Sequence, residues 1–298
     1  MKRLIGLVIG LGLLAAGCAG KGAEVVRPVG GGAPSASPST KVTPTPKATA
    51  SSTKKPPASG GSVTYEVWFT YGEHLFVTQR TEPFTVAVGR AALEAMLEGP
   101  SSAERKAGVG TTIPAGTKLL GLNIEDGIAT VDMSGTYDDG GGSLSERMRL
   151  AQMVYTITQF SSVQGVNLRL DGKAVDTFSG EGIVLDHPQT RADYDDLLPA
   201  ILVESPIVGQ PVSSPVTVSG TADVFEATVS IRILDASGEI IAESFATATC
   251  GTGCRGTYSA KVGYHVDHDQ QGTVMVYEAS AKDGSPTNVV KIPVTLTA

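Results

Sequence analysis

From residue 63 onward the chain alternates, with Val63, Tyr65, Val67 and Phe69 standing between Thr64, Glu66, Trp68 and Thr70. A period of two predicts a strand with one buried face. Residues 75–77 predict a short second strand. Residues 86–97 carry Ala91, Ala92, Leu93, Ala95, Met96 and Leu97 and stop at Gly99 and Pro100. This is a helix closed by a glycine and a proline. Apolar stretches at 118–125 and 128–133 flank Asp126 and Gly127, a pair that favours a two-residue hairpin turn. Ser143 followed by Glu146 reads as a capping box, opening a helix in which Leu144, Met148, Ala151, Val154 or Tyr155, and Thr158 recur at helical spacing. Residues 166–170 and 174–178 flank Asp171, Gly172 and Lys173 and predict another hairpin. The order is strand, strand, helix, hairpin, helix, hairpin. It predicts an α+β domain over 62–198, a mostly antiparallel sheet with helices on one face.

Beyond Pro199 the helical periodicity disappears. Apolar stretches at 201–206, 216–220, 227–233, 240–245, 256–262, 273–281 and 289–296 are separated by turn residues. About seven short strands predict an all-β sandwich of immunoglobulin type over 199–298.

The first 61 residues follow neither pattern. Lys2 and Arg3 precede an uncharged apolar run from Leu4 to Ala16, and Ala15, Ala16 and Gly17 lead directly to Cys18. The basic, apolar, small order predicts a cleavable signal peptide over 1–17. Its apolar run is too short to span a bilayer, which takes roughly 20 residues. Residues 14–18, Leu-Ala-Ala-Gly-Cys, resemble the lipobox of bacterial lipoproteins, with Ala15 where leucine is commonest and Leu14 one place early. The resemblance implies acylation of Cys18 and attachment to the outer face of the bacterial cytoplasmic membrane. Residues 18–61 are dense in Gly, Pro, Ser and Thr. Such a segment buries too little surface to offset its ordering entropy, so a disordered linker is expected. As a coil its ends would lie roughly 35 Å apart.

Two further groups of residues carry family resemblances. A helix ending Leu97-Glu98-Gly99-Pro100 is followed by Ile113-Pro-Ala-Gly-Thr117, then by Gly127-Ile-Ala-Thr-Val-Asp-Met-Ser134 and an Asp- and Gly-rich stretch before a long helix. Residues 63–186 thereby resemble the GerMN domain of sporulation and germination proteins. The resemblance implies an extracytoplasmic α/β module with assembly or envelope-binding roles, and it brings no catalytic residues. Residues 203–234, from Val-Glu-Ser-Pro to Ile231-Arg-Ile-Leu, resemble the immunoglobulin-like domain of bacterial spore germination proteins. Together they imply a surface interaction protein whose partners are cell-wall polymer or envelope protein.

Charge adds to this picture. The chain has a net charge of −7, yet residues 18–61 hold Lys21, Arg27, Lys41, Lys47, Lys54 and Lys55 against Glu24 alone. The part beyond residue 61 is therefore about twice as negative as the whole. A basic tether suits anionic lipid headgroups, and an acidic globular part argues against nucleic acid as a partner.

Candidate chemistry is sparse. Cys250 and Cys254, in Cys-Gly-Thr-Gly-Cys, can close a small disulfide in an oxidising compartment. Zinc would need two further ligands, and no Cys or His pair stands at suitable spacing. His265, His268 and Asp269 could suggest a metal, but a solvated loop is the simpler expectation. Asp138 and Asp139 before three glycines lack the alternating oxygen ligands of a calcium loop and read as a flexible helix entry. Trp68, with Tyr65 and Tyr71 nearby, fits either core packing or a platform for sugar rings. No metal or cofactor is expected. The chain reads as a non-catalytic binder, and the enzymatic alternative is a glycan-acting hydrolase using Asp138 and Glu146, whose carboxyls would then flank a cleft.

Overall fold

The computed structural model describes residues 60–298 apart from Glu181. The expected signal peptide, Cys18 and nearly all of the linker lie outside the described residues. Those described fall within one compact unit.

Strands β1 (Ser62–Tyr71) and β2 (His74–Pro83) form a long antiparallel hairpin in which Trp68 faces Val77. The second strand is thus ten residues long where three were expected. Helix α1 (Val88–Glu98) follows and ends at Gly99, whose φ of 83° is open to glycine. Two short elements that the pattern did not disclose come next, α2 (Ser102–Lys106) and β3 (Val109–Gly110). The latter pairs with the end of β1, giving the order β2-β1-β3.

Strands β4 (Leu119–Glu125) and β5 (Ile128–Met133) make the expected hairpin, and Asp126 and Gly127 adopt φ of 50° and 81°. Helix α3 (Ser143–Ile157) then carries the chain to β6 (Gly165–Leu170), which lies parallel to β5. This β–α–β crossover gives the second sheet mixed pairing within a region expected to be mostly antiparallel. The hairpin after β6 is short. Its return strand β7 is only Lys173–Ala174, and the chain then pairs β8 (Thr177–Phe178) with β9 (Ile183–Val184).

Three local expectations are corrected. Gly142, not Ser143, is the N-cap of α3, and its N–H donates to Ser145 Oγ at 2.9 Å. Leu144 is exposed, while residues 148–157 are buried all round the helix because α3 packs against β1 and β2 of the first sheet and β6 of the second. Finally, β1 is buried on both faces from Val67 to Thr70, the Trp68 ring on the side that alternation left to solvent lying against Tyr155 of α3.

That helix also solves a hydrogen-bonding problem. The edge of β1 facing away from β2 meets β3 only at Thr70 and Tyr71. Beyond that point side chains of or next to α3 serve its backbone. Trp68 N–H donates to Thr156 Oγ1 at 3.1 Å, Glu66 N–H to Gln159 Oε1 at 2.7 Å, and Gln159 Nε2 donates to Glu66 C=O at 2.8 Å. Polar groups otherwise costly to bury thus satisfy an edge that would lack partners.

After a 3-10 turn (Arg191–Leu197) the second half opens. Strands β10 (Ile201–Ser205), β11 (Pro211–Val212), β12 (Val216–Ala222), β13 (Thr228–Leu234), β14 (Ile240–Thr247), β15 (Gly256–Val262), β16 (Gln270–Ala279) and β17 (Pro286–Leu296) form two sheets. Their orders are β10-β12-β15 and β11-β17-β16-β13-β14, the two-sheet sandwich that the turn spacing predicts. Alternation is clean on β12 and β13, where Val216, Val218, Val229, Ile231 and Ile233 point inward. Gly220 is required on β12, because a Cβ there would overlap the Leu202 carbonyl of the neighbouring strand. Arg255 ties the sandwich to the junction between the halves, its Nη2 donating to Pro199 C=O at 2.6 Å.

Candidate functional site

A partly polar cleft lies along the open edge of β6. Because β7 pairs for only two residues, the chain leaves β6 after Val175, whose N–H donates to Leu168 C=O at 3.2 Å. It returns at Gln189, which exchanges both backbone bonds with Val166 at 2.9 and 2.8 Å. Between these contacts a cavity of about 260 Å³ opens, with Thr130, Asn167, Arg169, Asp176 and His187 among its lining residues.

Hydrogen bonds fix the returning wall. Leu185 N–H donates to Asp176 C=O at 2.9 Å, Gln189 Nε2 to His187 C=O at 2.9 Å, and Tyr194 OH to Gln189 Oε1 at 2.8 Å. His187 is clamped between carboxylates, with Nδ1 2.7 Å from Asp186 and Nε2 3.1 Å from Asp193. The bond to Asp186, then that to Asp193 and the charges of both, push the imidazole above the usual histidine range. The cleft therefore combines a guanidinium, a carboxylate, an amide, a hydroxyl and an imidazole that charges readily. No sequence motif marked it. Asn167 and Arg169 are ordinary outward positions on an alternating strand, and only the topology brings His187 beside them.

The residues singled out from the sequence fall elsewhere. Trp68 is 2% exposed, its ring centroid 4.6 Å from that of Tyr155, with the Arg191 guanidinium 5.5 Å from its centroid. Tyr65 is buried and Tyr71 lies exposed at the hairpin end, so the three form no surface platform. Of the carboxylate pair, Glu146 is buried and accepts a hydrogen bond from Ser179 Oγ. Burial raises the carboxyl of Asp138 above its usual range. A glycosidase carboxylate must reach a substrate, and a buried Glu146 does not meet that requirement.

The glycine-rich stretch before α3 is held from within. Arg149, 2% exposed, donates Nη1 to Tyr137 C=O at 2.6 Å and Nη2 to Gly140 C=O at 2.7 Å. A cation thus already occupies the neighbourhood where calcium was considered. Among the described residues no group of three or more His, Cys, Asp or Glu is placed to hold a metal. His265 sits on an exposed loop, 3.3 Å from Asp267.

Cys250 and Cys254 are joined as a disulfide, with Cα atoms 5.7 Å apart. The loop packs on the turn Phe225–Ala227. Thr252 N–H donates to Val224 C=O at 3.0 Å and Gly253 N–H to Asp223 Oδ1 at 2.8 Å.

Comparison with known proteins agrees with the two halves. Residues 69–176 match the Germane family, described as sporulation and spore germination. Residues 200–285 match Gmad2, the immunoglobulin-like domain of bacterial spore germination. No curated protein matches the chain significantly. Among solved structures, the first GerMN domain of the sporulation protein GerM from Bacillus subtilis is 26% identical, with a TM-score of 0.37 over 44% of this chain and 99% of that one. The tandem GerMN domains of the same protein are 15% identical, with a TM-score of 0.39 over 80% of this chain and 61% of that one. At these TM-scores the assignment of the halves rests on the two family matches.

Proposed function

We propose that this chain, a Germane domain followed by a Gmad2 immunoglobulin-like domain, is a non-catalytic lipoprotein of the cell envelope. Its two modules, 62–198 and 199–298, bind or organise envelope partners, either cell-wall polymer or protein, in sporulation or germination. The observation that carries this reading is the pairing of two domain families, both described from spore germination, on one chain. The acidic surface beyond residue 61 and the basic stretch before it agree with a folded part held off an anionic membrane. The burial of Glu146 supports a binding role over glycan hydrolysis.

Attachment is the part tested most simply. Cys18→Ala is expected to release the protein into the medium or leave its leader uncleaved, as read by fractionation and mass spectrometry. A variant that stayed tightly membrane-bound with its leader removed would contradict lipid attachment. The partner is sought by chemical cross-linking in intact cells with the wild-type chain. The proposal predicts cross-links to wall polymer or to an envelope protein, and cross-links to cytoplasmic proteins alone would overturn it.

A further inference from the structure

Among the described residues Arg169 is the only arginine whose side chain makes no hydrogen bond or ion pair. Arg80, Arg90, Arg147 and Arg232 pair with carboxylates, Arg191 lies 4.0 Å from one, and Arg105, Arg149 and Arg255 donate to backbone carbonyls. Arg169 stands on the rim of the β6 cleft, in a domain whose net charge is acidic. The side chains of Thr130, Asn167 and Asp176, which line the same cleft, also have no hydrogen-bond partner within the described protein. Nearly every other polar group of the returning wall is engaged. The cleft is thus a rigid frame with its unused donors and acceptors facing one space, the arrangement that reduces the ordering cost of binding.

Size and lining narrow the ligand. About 260 Å³ lies just under the roughly 300–1,000 Å³ of drug-sized pockets, enough for one ring and not for an extended chain. Ala174, Val175 and Leu185 supply an apolar strip beside the polar groups. A guanidinium fork without a partner selects a planar oxyanion, which it holds through two parallel bonds. Asp176, Asn167 and Thr130 suit hydroxyl and amide groups.

We propose that this cleft is a saccharide subsite for one sugar ring bearing a carboxylate, with Arg169 on the carboxylate and Asp176, Asn167 and Thr130 on the hydroxyl and amide groups. This deepens the proposed function and rests on its wall-polymer form.

The test is a ligand-observed NMR titration of the full chain with N-acetylmuramic acid and with N-acetylglucosamine, which lacks the carboxylate. The expected result is at least tenfold tighter binding of the acidic sugar, at least a tenfold loss with Arg169→Gln, and a smaller loss with Asp176→Asn. Melting temperatures within a degree or two of wild type would show that the variants fold, as expected for an exposed side chain. Equal affinity for the two sugars, an unchanged Arg169→Gln variant, or equally strong binding of an N-acetylated dipeptide with a free carboxylate would each overturn the subsite. Sedimentation with purified wall, treated with an amidase so that its muramic carboxylates are free of stem peptide, separates the two ideas. Wild type and Arg169→Gln binding wall equally would retain the wall reading and remove this site. Neither binding would remove both.

Discussion

Replacing Glu104 by alanine is expected to destabilise the protein by about 3–5 kcal/mol, among the largest effects of any single change. Its carboxylate is buried and accepts bonds on both oxygens. Oε1 receives Thr78 Oγ1 at 2.6 Å and Arg80 Nη1 at 2.8 Å, while Oε2 receives Arg80 Nη2 at 2.7 Å and Ser101 N–H at 2.6 Å. The last of these is half of a capping box that starts α2, completed by Glu104 N–H donating to Ser101 Oγ at 3.2 Å. One side chain therefore joins α2 to β2, and its loss leaves the Arg80 guanidinium, 23% exposed, without its counter-ion. Burial alone would raise this carboxyl, but the bonds from Arg80, Thr78 and Ser101 and the charge of Arg80 outweigh it and lower the pKa to about 2. The stabilisation is consequently complete above the unfolded value near 4.5 and is lost as pH falls from there toward 2, an amount of about 3 kcal/mol. Urea unfolding of wild type and Glu104→Gln across that window checks the sign. The difference between the two should shrink as pH falls. A difference constant from pH 6 to pH 3 would contradict the assignment.

Trp68→Ala is expected to cost a similar amount, about 3–5 kcal/mol. The indole fills the space between β1 and α3, lies against Tyr155, and donates Nε1–H to Glu66 Oε2 at 3.2 Å. Arg191 lies over both rings, 5.5 Å from the centroid of Trp68 and 4.8 Å from that of Tyr155, and donates to Tyr155 C=O at 3.0 Å. Removing the indole leaves a cavity and withdraws one support of the 3-10 turn that leads into the sandwich. Thermal or urea unfolding measures the loss. Unchanged stability together with weakened binding to wall polymer would restore the sugar-platform reading of this residue.

Much of the fold was legible because it is local. Asp126-Gly127 and Asp171-Gly172 mark turns that need positive φ at both residues, with Asp171 and Gly172 at 48° and 80°, and each turn sits where the pair occurs. Strands β12, β13 and β15 were legible because each buries one face and so alternates. What escaped depends on distant partners. Parallel pairing of β5 with β6 leaves no trace in either strand. Thr156 and Gln159 read as neutral polar residues on a helix until the open edge of β1 is placed beside them. Residues 148–157 show no single apolar face because α3 is covered on every side. The β6 cleft was invisible for a related reason. Its polar groups come from β5, β6 and two loops, and no spacing links them.

Binding without turnover is the central claim, and one measurement addresses both halves of it. The chain from residue 19 onward, which removes both lipid and leader as means of retention, is incubated with isolated envelope from a spore-forming bacterium, and pellet and supernatant are assayed for protein and for released sugar. The account predicts saturable retention in the pellet with no soluble glycan fragments. Protein that stays in the supernatant, or soluble fragments whose release is lost on changing Asp138 or Glu146, would contradict it.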